Sequence, residues 1–165
     1  MVQSAHSYSG WGFSLQGDKG RFVLPPAIRK VVKASGDGQK TLCLDKHSRF
    51  PCLIGFGLSR LDLLAGEIDR EEQLARDRQE AFDRDLRYMQ LYGFSETPFD
   101  DSGRFVLPRH LTELAEIGDG IYFHGSGPFF MLWNPAVLAA MDGAGWESAK
   151  ANCRAAEASA RGKKA

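Results

Sequence analysis

A six-residue segment that occurs twice is the feature that most constrains how this chain can fold. The segment GRFVLP at 20–25 returns letter for letter at 103–108. Each copy is followed by a short helix-like run and then by a Gly-Asp-Gly turn, at 27–38 and at 109–120. A repeat of this kind indicates that the chain is a duplication of one small supersecondary unit.

Each unit is predicted to run strand, tight turn, strand, short helix, turn and hairpin. In the first copy Trp11, Phe13 and Leu15 alternate with smaller or polar residues, as in a half-buried strand. Pro25 and Pro26 end the second strand and favour the start of a helix. A unit of this size is too small for a core of its own, so the two copies are expected to pack together. The alternative is two independent units on a helical linker.

The remaining segments are predicted to be mostly helical. Apolar residues fall near helical spacing at 61–89 and again at 135–157, whereas the tail at 155–165 has no apolar pattern and is expected to be frayed. The expected division of the chain is a first repeat unit at 11–58, a helical connection at 59–93, a second repeat unit at 94–137, and a C-terminal helix and tail at 138–165.

Composition and charge exclude several classes of protein. The chain has 21 Lys and Arg against 21 Asp and Glu, which argues against a simple polycation but leaves room for a local basic face. The start of the chain lacks the pattern of a signal peptide, and no segment is long and apolar enough for a membrane helix. The three cysteines are too few for a disulfide framework. We therefore expect a soluble, cytoplasmic protein with no membrane partner.

The sequence gives little indication of a metal site or a catalytic site. Cys43, His47 and Cys52 lie close in sequence, but they lack paired spacing and a fourth ligand, so buried thiols and a surface histidine are expected instead. His110 and His124 have no partner arrangement that indicates a nucleophile and its base. The sequence thus predicts no enzyme, no metal, no cofactor and no small-molecule substrate.

Two signatures resemble a known family. The first motif has Lys19, Gly20, Arg21 and Pro25, and the second has Gly103, Arg104 and Pro108. Together they resemble the paired signature of the MraZ family, bacterial two-copy members of the AbrB-like DNA-binding superfamily. Further similarities lie at 8–10, 43–47, 51–53 and 130–133, so that the resemblance extends over roughly 8–141.

The resemblance implies a mainly β fold with helices: an AbrB-like swapped-hairpin, double-split β-barrel that both repeats form, with peripheral α-helices. It also implies a ring-shaped homo-oligomer that binds double-stranded DNA. Members of the family bind G-rich direct repeats upstream of their own gene, at the head of the division and cell-wall gene cluster, and usually repress it. A cytoplasmic, nucleoid-associated location follows from that activity.

The two copies depart from the family pattern at different positions. The family motif begins with Asp, but the first copy has Gly17 there, followed by Asp18. The second copy keeps Asp100 and carries Ser102 where the first copy has Lys19. These changes affect the turn of copy one and the DNA contacts of copy two.

Local charge favours DNA binding by the first copy, because five basic residues face a single acid at 18–33. Arg21 is the best candidate for contacting a guanine edge, with Lys19 and Arg29 contacting the phosphate backbone. The alternative is that these are solvated surface charges.

The second copy is less basic. Arg104 and Arg109 are the candidates for DNA contact, but the acids Asp100, Asp101 and Glu113 lie nearby. Arg104 could instead pair with Asp100 or Asp101, in which case the second unit chiefly completes the fold. The aromatic run at 129–133 is expected to belong to the core rather than to a base-stacking platform.

These features together predict a sequence-specific DNA-binding transcriptional regulator, with Lys19, Arg21, Arg29, Arg104 and Arg109 as its DNA-binding residues. The alternative is an antitoxin-type AbrB-like module that binds a protein partner, which normally requires a disordered tail with apolar anchors. An enzyme on a β scaffold is the third hypothesis, and no motif supports it.

Overall fold

Strands and short helices alternate along the chain in the order that the repeat predicts. The computed structural model describes residues 6–163. Its strands are β1 (Trp11–Leu15), β2 (Arg21–Val23), β3 (Thr41–Lys46), β4 (Leu53–Phe56), β5 (Ser95–Pro98), β6 (Arg104–Val106), β7 (Gly120–Gly125) and β8 (Phe130–Trp133). Its α-helices are α1 (Pro26–Ser35), α2 (Leu64–Asp77), α3 (Arg84–Tyr92), α4 (Arg109–Leu114), α5 (Pro135–Ala139) and α6 (Glu147–Gly162). The protein is therefore mainly antiparallel sheet with helices, as expected.

The two copies share their strands. One sheet has the order β1-β7-β8-β4-β3-β5, and β2 pairs with β6 in a separate two-stranded ribbon. The first strand of each copy thus pairs with the third strand of the other copy, while β4 pairs with its own equivalent, β8. This arrangement has the pattern of a two-fold axis that relates the copies. The copies form one unit rather than two independent ones.

The six-stranded sheet is open. Within the described residues its two edge strands, β1 and β5, each have a single neighbour in the sheet. The structure therefore establishes a mainly β fold without a closed barrel.

The main core lies beneath the ribbon. Phe22 and Phe105 stand opposite each other in the β2–β6 pair, with ring centroids 6.3 Å apart, and both are buried. Leu24 and Leu107, two positions further along each copy, are buried as well. Burying one such side chain is worth about 1.5–3 kcal/mol, so the repeated motif contributes the same inward anchors twice.

A second core lies under the C-terminal helices. It groups Tyr122 and Trp133 of the sheet with Leu138 of α5 and Cys153 of α6, all of them buried. The prediction of a frayed tail is wrong as far as Gly162, where α6 ends. Its last turns are held because Ala156 is buried and because Arg161 pairs with acidic residues. The final two residues of the chain lie outside the described part.

The connection between the copies is helical, as predicted. A short 3₁₀ helix (Leu58–Leu63) leads into α2, and α3 follows with Asp83 as its N-cap, whose carboxylate accepts the Leu86 amide hydrogen. Arg84 and Arg87 of α3 pair with acidic side chains of α2. No helix in the described part of the chain has the length and apolarity needed to cross a bilayer.

Candidate nucleic-acid interface

The β2–β6 ribbon presents a mixed polar and apolar surface on its outer side. Its register places Arg21 opposite Val106 and Val23 opposite Arg104, with the two phenylalanines between them. Side chains alternate across a strand, so the phenylalanines point into the core and the other four point outward. We call these four residues, Arg21, Val23, Arg104 and Val106, the outer ribbon face.

The turn of copy one, which carries Lys19, is held mainly by backbone hydrogen bonds. Lys19 and Gly20 have φ angles of 59° and 68°, and the Gly17 amide donates to the Arg21 carbonyl oxygen over 2.8 Å. The Gln16 side chain donates to the Gly20 carbonyl oxygen over 3.1 Å. The Lys19 side chain is left exposed beside the ribbon.

The turn of copy two is held by a carboxylate. The Asp100 carboxylate accepts hydrogen bonds from the backbone amides of Ser102 and Arg104 over 3.0 and 2.9 Å. It also accepts one from Nε of the Arg104 side chain over 2.7 Å. These bonds, first of all the one from the Arg104 backbone, lower the pKa of Asp100. The carboxylate is therefore a fixed negative charge at the end of the outer ribbon face.

Asp100 faces both arginines of that surface. Nη1 of Arg21 lies 3.9 Å from its carboxylate, and Nε of Arg104 lies 2.7 Å from it. The Arg21 side chain also donates to the Asp18 carbonyl oxygen over 3.3 Å. The ion pair of Arg104 with Asp100, which the sequence left as an alternative, is thus present. Exposed ion pairs of this kind contribute little to stability, so a phosphate or a base edge could displace the carboxylate.

The other two predicted site residues lie on helices. Arg29 of α1 is half-buried and donates from Nη1 to the carbonyl oxygen of Ser102, which ties α1 to the turn of copy two. Arg109 begins α4, directly after the second motif, and its side chain is 93% exposed and paired with Glu113 over 3.2 Å. The fold therefore brings Lys19, Arg21, Arg29 and Arg104 to the two turns and the ribbon, while Arg109 stands on an adjoining helix.

Two features of this surface were missed by sequence reasoning. One is the position of Asp100 between arginines of both copies, and the other is the exposure of Val23 and Val106. The alternation in the GRFVLP motif indicated that the valines are exposed. If Phe22 points inward, its two neighbours in the strand must point outward. The shared carboxylate depends on pairing between strands that are distant in sequence.

The cysteine and histidine cluster at 43–52 has a structural role. Burial raises the pKa of the Cys43 and Cys52 thiols to about 12, which agrees with the prediction that both thiols are buried. The expectation of a surface histidine is wrong: His47 is 9% exposed, and its Nδ1 accepts the amide hydrogens of Arg49 and Phe50. The pKa of His47 is lowered, and burial is the main cause.

The aromatic run after the second motif belongs to the interior. Phe130 of the main core and Trp133 of the second core are fully buried, and Phe129 packs partly buried against the main core. The prediction that these rings form core rather than a stacking platform is confirmed. Within 6–163, no group of three potential metal ligands comes together.

Comparison with known proteins identifies the relatives of this chain. No family model matches it. It is 31% identical over 125 residues to "Transcriptional regulator MraZ" of Rhodospirillum rubrum, covering 76% of this chain and 77% of that protein. The protein of the same name from Parvibaculum lavamentivorans is 36% identical over 123 residues, covering 74% of this chain and 72% of the relative. That from Roseiflexus sp. is 33% identical over 130 residues, covering 76% and 82%. With such identity over about three quarters of its length, this chain belongs to the MraZ family of transcriptional regulators.

Proposed function

We propose that this protein is a sequence-specific DNA-binding regulator that contacts double-stranded DNA through the outer ribbon face and its two flanking turns. The observation that carries the proposal is the pairing of β2 with β6, which places one arginine from each copy on the same exposed surface. Membership in a family of transcriptional regulators supports a nucleic-acid partner.

The shape of the ribbon suits the major groove. A two-stranded antiparallel ribbon fits a groove about 12 Å wide, and arginine is the side chain that most often contacts guanine through two parallel hydrogen bonds. Arg21 is the proposed guanine contact, joined by Arg104 once the Asp100 carboxylate is displaced. Lys19, Arg29 and Arg109 are the proposed phosphate contacts, which would fix the protein on the duplex without specifying sequence.

Assembly into a ring would multiply this contact. We propose a homo-oligomer, and the helical connection offers a surface for it, because Leu74 of α2 and Leu86, Met89 and Tyr92 of α3 are exposed apolar side chains. Several identical ribbons in one ring would match direct repeats in DNA and would bind them with avidity. We also propose that the ribbon and the sheet together correspond to the family's double-split barrel.

The proposed target is the promoter of the protein's own operon, at the head of the division and cell-wall gene cluster. G-rich direct repeats there would be bound at the nucleoid, in the cytoplasm, and transcription would be repressed. The antitoxin-type alternative loses support, because most of the tail that would wrap a partner is packed as α6 against the sheet.

Fluorescence anisotropy on the duplex upstream of the gene, with a scrambled duplex alongside, tests the proposal. The wild-type protein should prefer the native duplex, and its affinity should fall steeply with salt because phosphate contacts release counterions. Arg21→Gln should cost about 1–3 kcal/mol of that preference, the discrimination of one good bidentate pair.

Arg78→Gln is the matched control, because it removes one positive charge from an exposed residue at the end of α2. It should leave the preference for the native duplex unchanged. Equal, weak binding of the wild-type protein to both duplexes would contradict the proposed function.

A further inference from the structure

We propose that the outer ribbon face identifies thymine as well as guanine, with Val23 and Val106 packing against thymine methyl groups. This inference rests on the proposed function, since it assigns a second specificity to the same surface. The chemical group recognised is the C5-methyl of thymine, which lies in the major groove.

The two valines are exposed although each neighbours the core. Val23 is 39% exposed and Val106 is 55% exposed, whereas the phenylalanine next to each of them is almost fully buried. Each copy of the motif therefore sends one side chain inward for stability and leaves a β-branched apolar side chain on the surface. That apolar area contributes nothing to the core.

The strand register of the ribbon places each valine opposite an arginine. Arg21 stands opposite Val106 and Arg104 stands opposite Val23, so that charged and apolar side chains alternate along and across the ribbon. Directly opposed side chains lie about 4.5–5.5 Å apart. Because bases along one strand are about 3.4 Å apart, a valine would lie within one or two base pairs of the base that its opposing arginine contacts. The surface therefore fits a site in which guanine and thymine are close neighbours.

Backbone hydrogen bonds hold Val23 in place before any ligand binds. The Val23 amide donates to Oγ of Ser14, a buried residue, over 2.8 Å. The next amide, that of Leu24, donates to the Gly103 carbonyl oxygen over 2.9 Å and so fixes copy one against copy two. A side chain on such a rigid ribbon can discriminate between bases with little ordering cost.

Charge favours DNA over a second copy of the chain as the occupant of this surface. Burying the valines against the same face of another copy would join two surfaces that each carry two arginines and one carboxylate, Asp100. The excess of positive charge on both would repel. Stacked base pairs between two phosphate backbones offer apolar methyl groups surrounded by negative charge. That arrangement complements the valines and arginines of the outer ribbon face.

The experiment compares thymine with deoxyuridine, which lacks only the methyl group. Duplexes are first selected by the wild-type protein from a randomised library, and each thymine of the selected site is then replaced by deoxyuridine. We expect at least one replacement beside a guanine to weaken binding about fourfold, the effect of one methyl-sized group leaving a buried contact. In Val106→Ala or Val23→Ala the same replacement should have no further effect.

Leu114→Ala on α4 is the matched control, because Leu114 is also 55% exposed but belongs to α4 and not to the ribbon. It should retain the full response to deoxyuridine. Thermal unfolding of each variant confirms that it is folded, and the deoxyuridine series on the wild-type protein does not depend on any variant.

Selected sites without thymine beside guanine, or sites indifferent to deoxyuridine, would overturn this inference while leaving sequence-specific binding established. A change in oligomeric state of the valine variants, measured by light scattering, without any deoxyuridine effect would also overturn it, in favour of a contact between copies. If no sequence is enriched at all, the proposed function and this inference fall together.

Discussion

The two turns that flank the ribbon differ at the residue that closes them. Asp100 closes the turn of copy two with its side chain, and the equivalent position in copy one is Gly17. Copy one therefore relies on backbone bonds and on two residues with positive φ, Lys19 and Gly20. Because the one carboxylate is shared, Arg21 is less tightly bound than Arg104, which is consistent with Arg21 as the main base contact.

Replacing Gly17 by Asp should stabilise the protein. The residue has φ −105° and ψ −157°, an extended conformation, and an added Cβ would meet only the Arg21 carbonyl oxygen at 3.7 Å. An aspartate there can accept turn amide hydrogens as Asp100 does, which should raise the free energy of unfolding by about 0.5–1.5 kcal/mol.

Urea unfolding of wild type, Gly17→Asp and Gly17→Ala measures the effect. The alanine variant provides only the loss of backbone freedom in the unfolded chain, worth about 0.4–1 kcal/mol. The carboxylate contributes only if Gly17→Asp is the more stable of the two, and equal stability would refute its role in the turn.

Residue identities at this site were visible in the sequence, but their contacts were not. The departures at Gly17 and Ser102 follow from comparing the two copies letter by letter. The contact of Asp100 with Arg21 joins residues about eighty positions apart and depends on the pairing of β2 with β6. Local pattern does not specify such pairing, because register between distant strands is set by packing.

At the scale of elements, the C-terminal helix is connected to the turn that carries Lys19. Arg161 of α6 pairs with the Asp119 carboxylate over 3.0 and 3.1 Å, and the Asp119 carbonyl oxygen accepts the Gln16 amide hydrogen over 2.7 Å. The Gln16 side chain in turn donates to Gly20. Few contacts therefore separate the end of α6 from the proposed DNA-contacting turn.

Arg161→Gln should weaken specific DNA binding although Arg161 is far from the ribbon in sequence. Contacts along such a network modestly change the coupling between distant sites, so we expect the affinity to fall about two- to fivefold. Arg154→Gln removes the same charge from an exposed position of the same helix and serves as the control. Anisotropy titrations that give the same affinity for both variants would show that α6 does not position the turn.

The sequence predicted α6 only in part. Its N-terminal half was expected to be helical, but from Ala155 onward the side chains are mostly small or charged. What holds this half is the packing of Ala156 and the ion pairs of Arg161 with Asp119 and Glu157. Neither the packing of Ala156 nor the ion pairs of Arg161 produce a hydrophobic periodicity in the sequence. A helix predicted from that periodicity therefore ends too early.

At the scale of the whole molecule, duplication and strand exchange determine the architecture. The repeat predicted that two similar units would pack together, and the small size of each unit gave the reason. The exchange itself was not predictable from the pattern: β1 pairs with β7 and β5 pairs with β3, so each copy completes the other's half of the sheet. The ribbon that carries the proposed site also exists only when both copies are present.

Neither half of the chain should therefore fold alone as a monomer. A fragment of residues 1–93 lacks the partners of β1 and β2, and its β3 and β4 each keep one of two partners. A fragment of residues 94–165 lacks the partners of β5 and β6, and its β7 and β8 each keep one of two. Alone, each should be unfolded or should pair with a second copy of itself, because the repeats are equivalent. Mixed in equal amounts, they should form a one-to-one complex with cooperative unfolding, measured by circular dichroism and light scattering. A fragment that unfolds cooperatively as a monomer would contradict this, since it would mean that one copy can bury its apolar faces without the strands of the other.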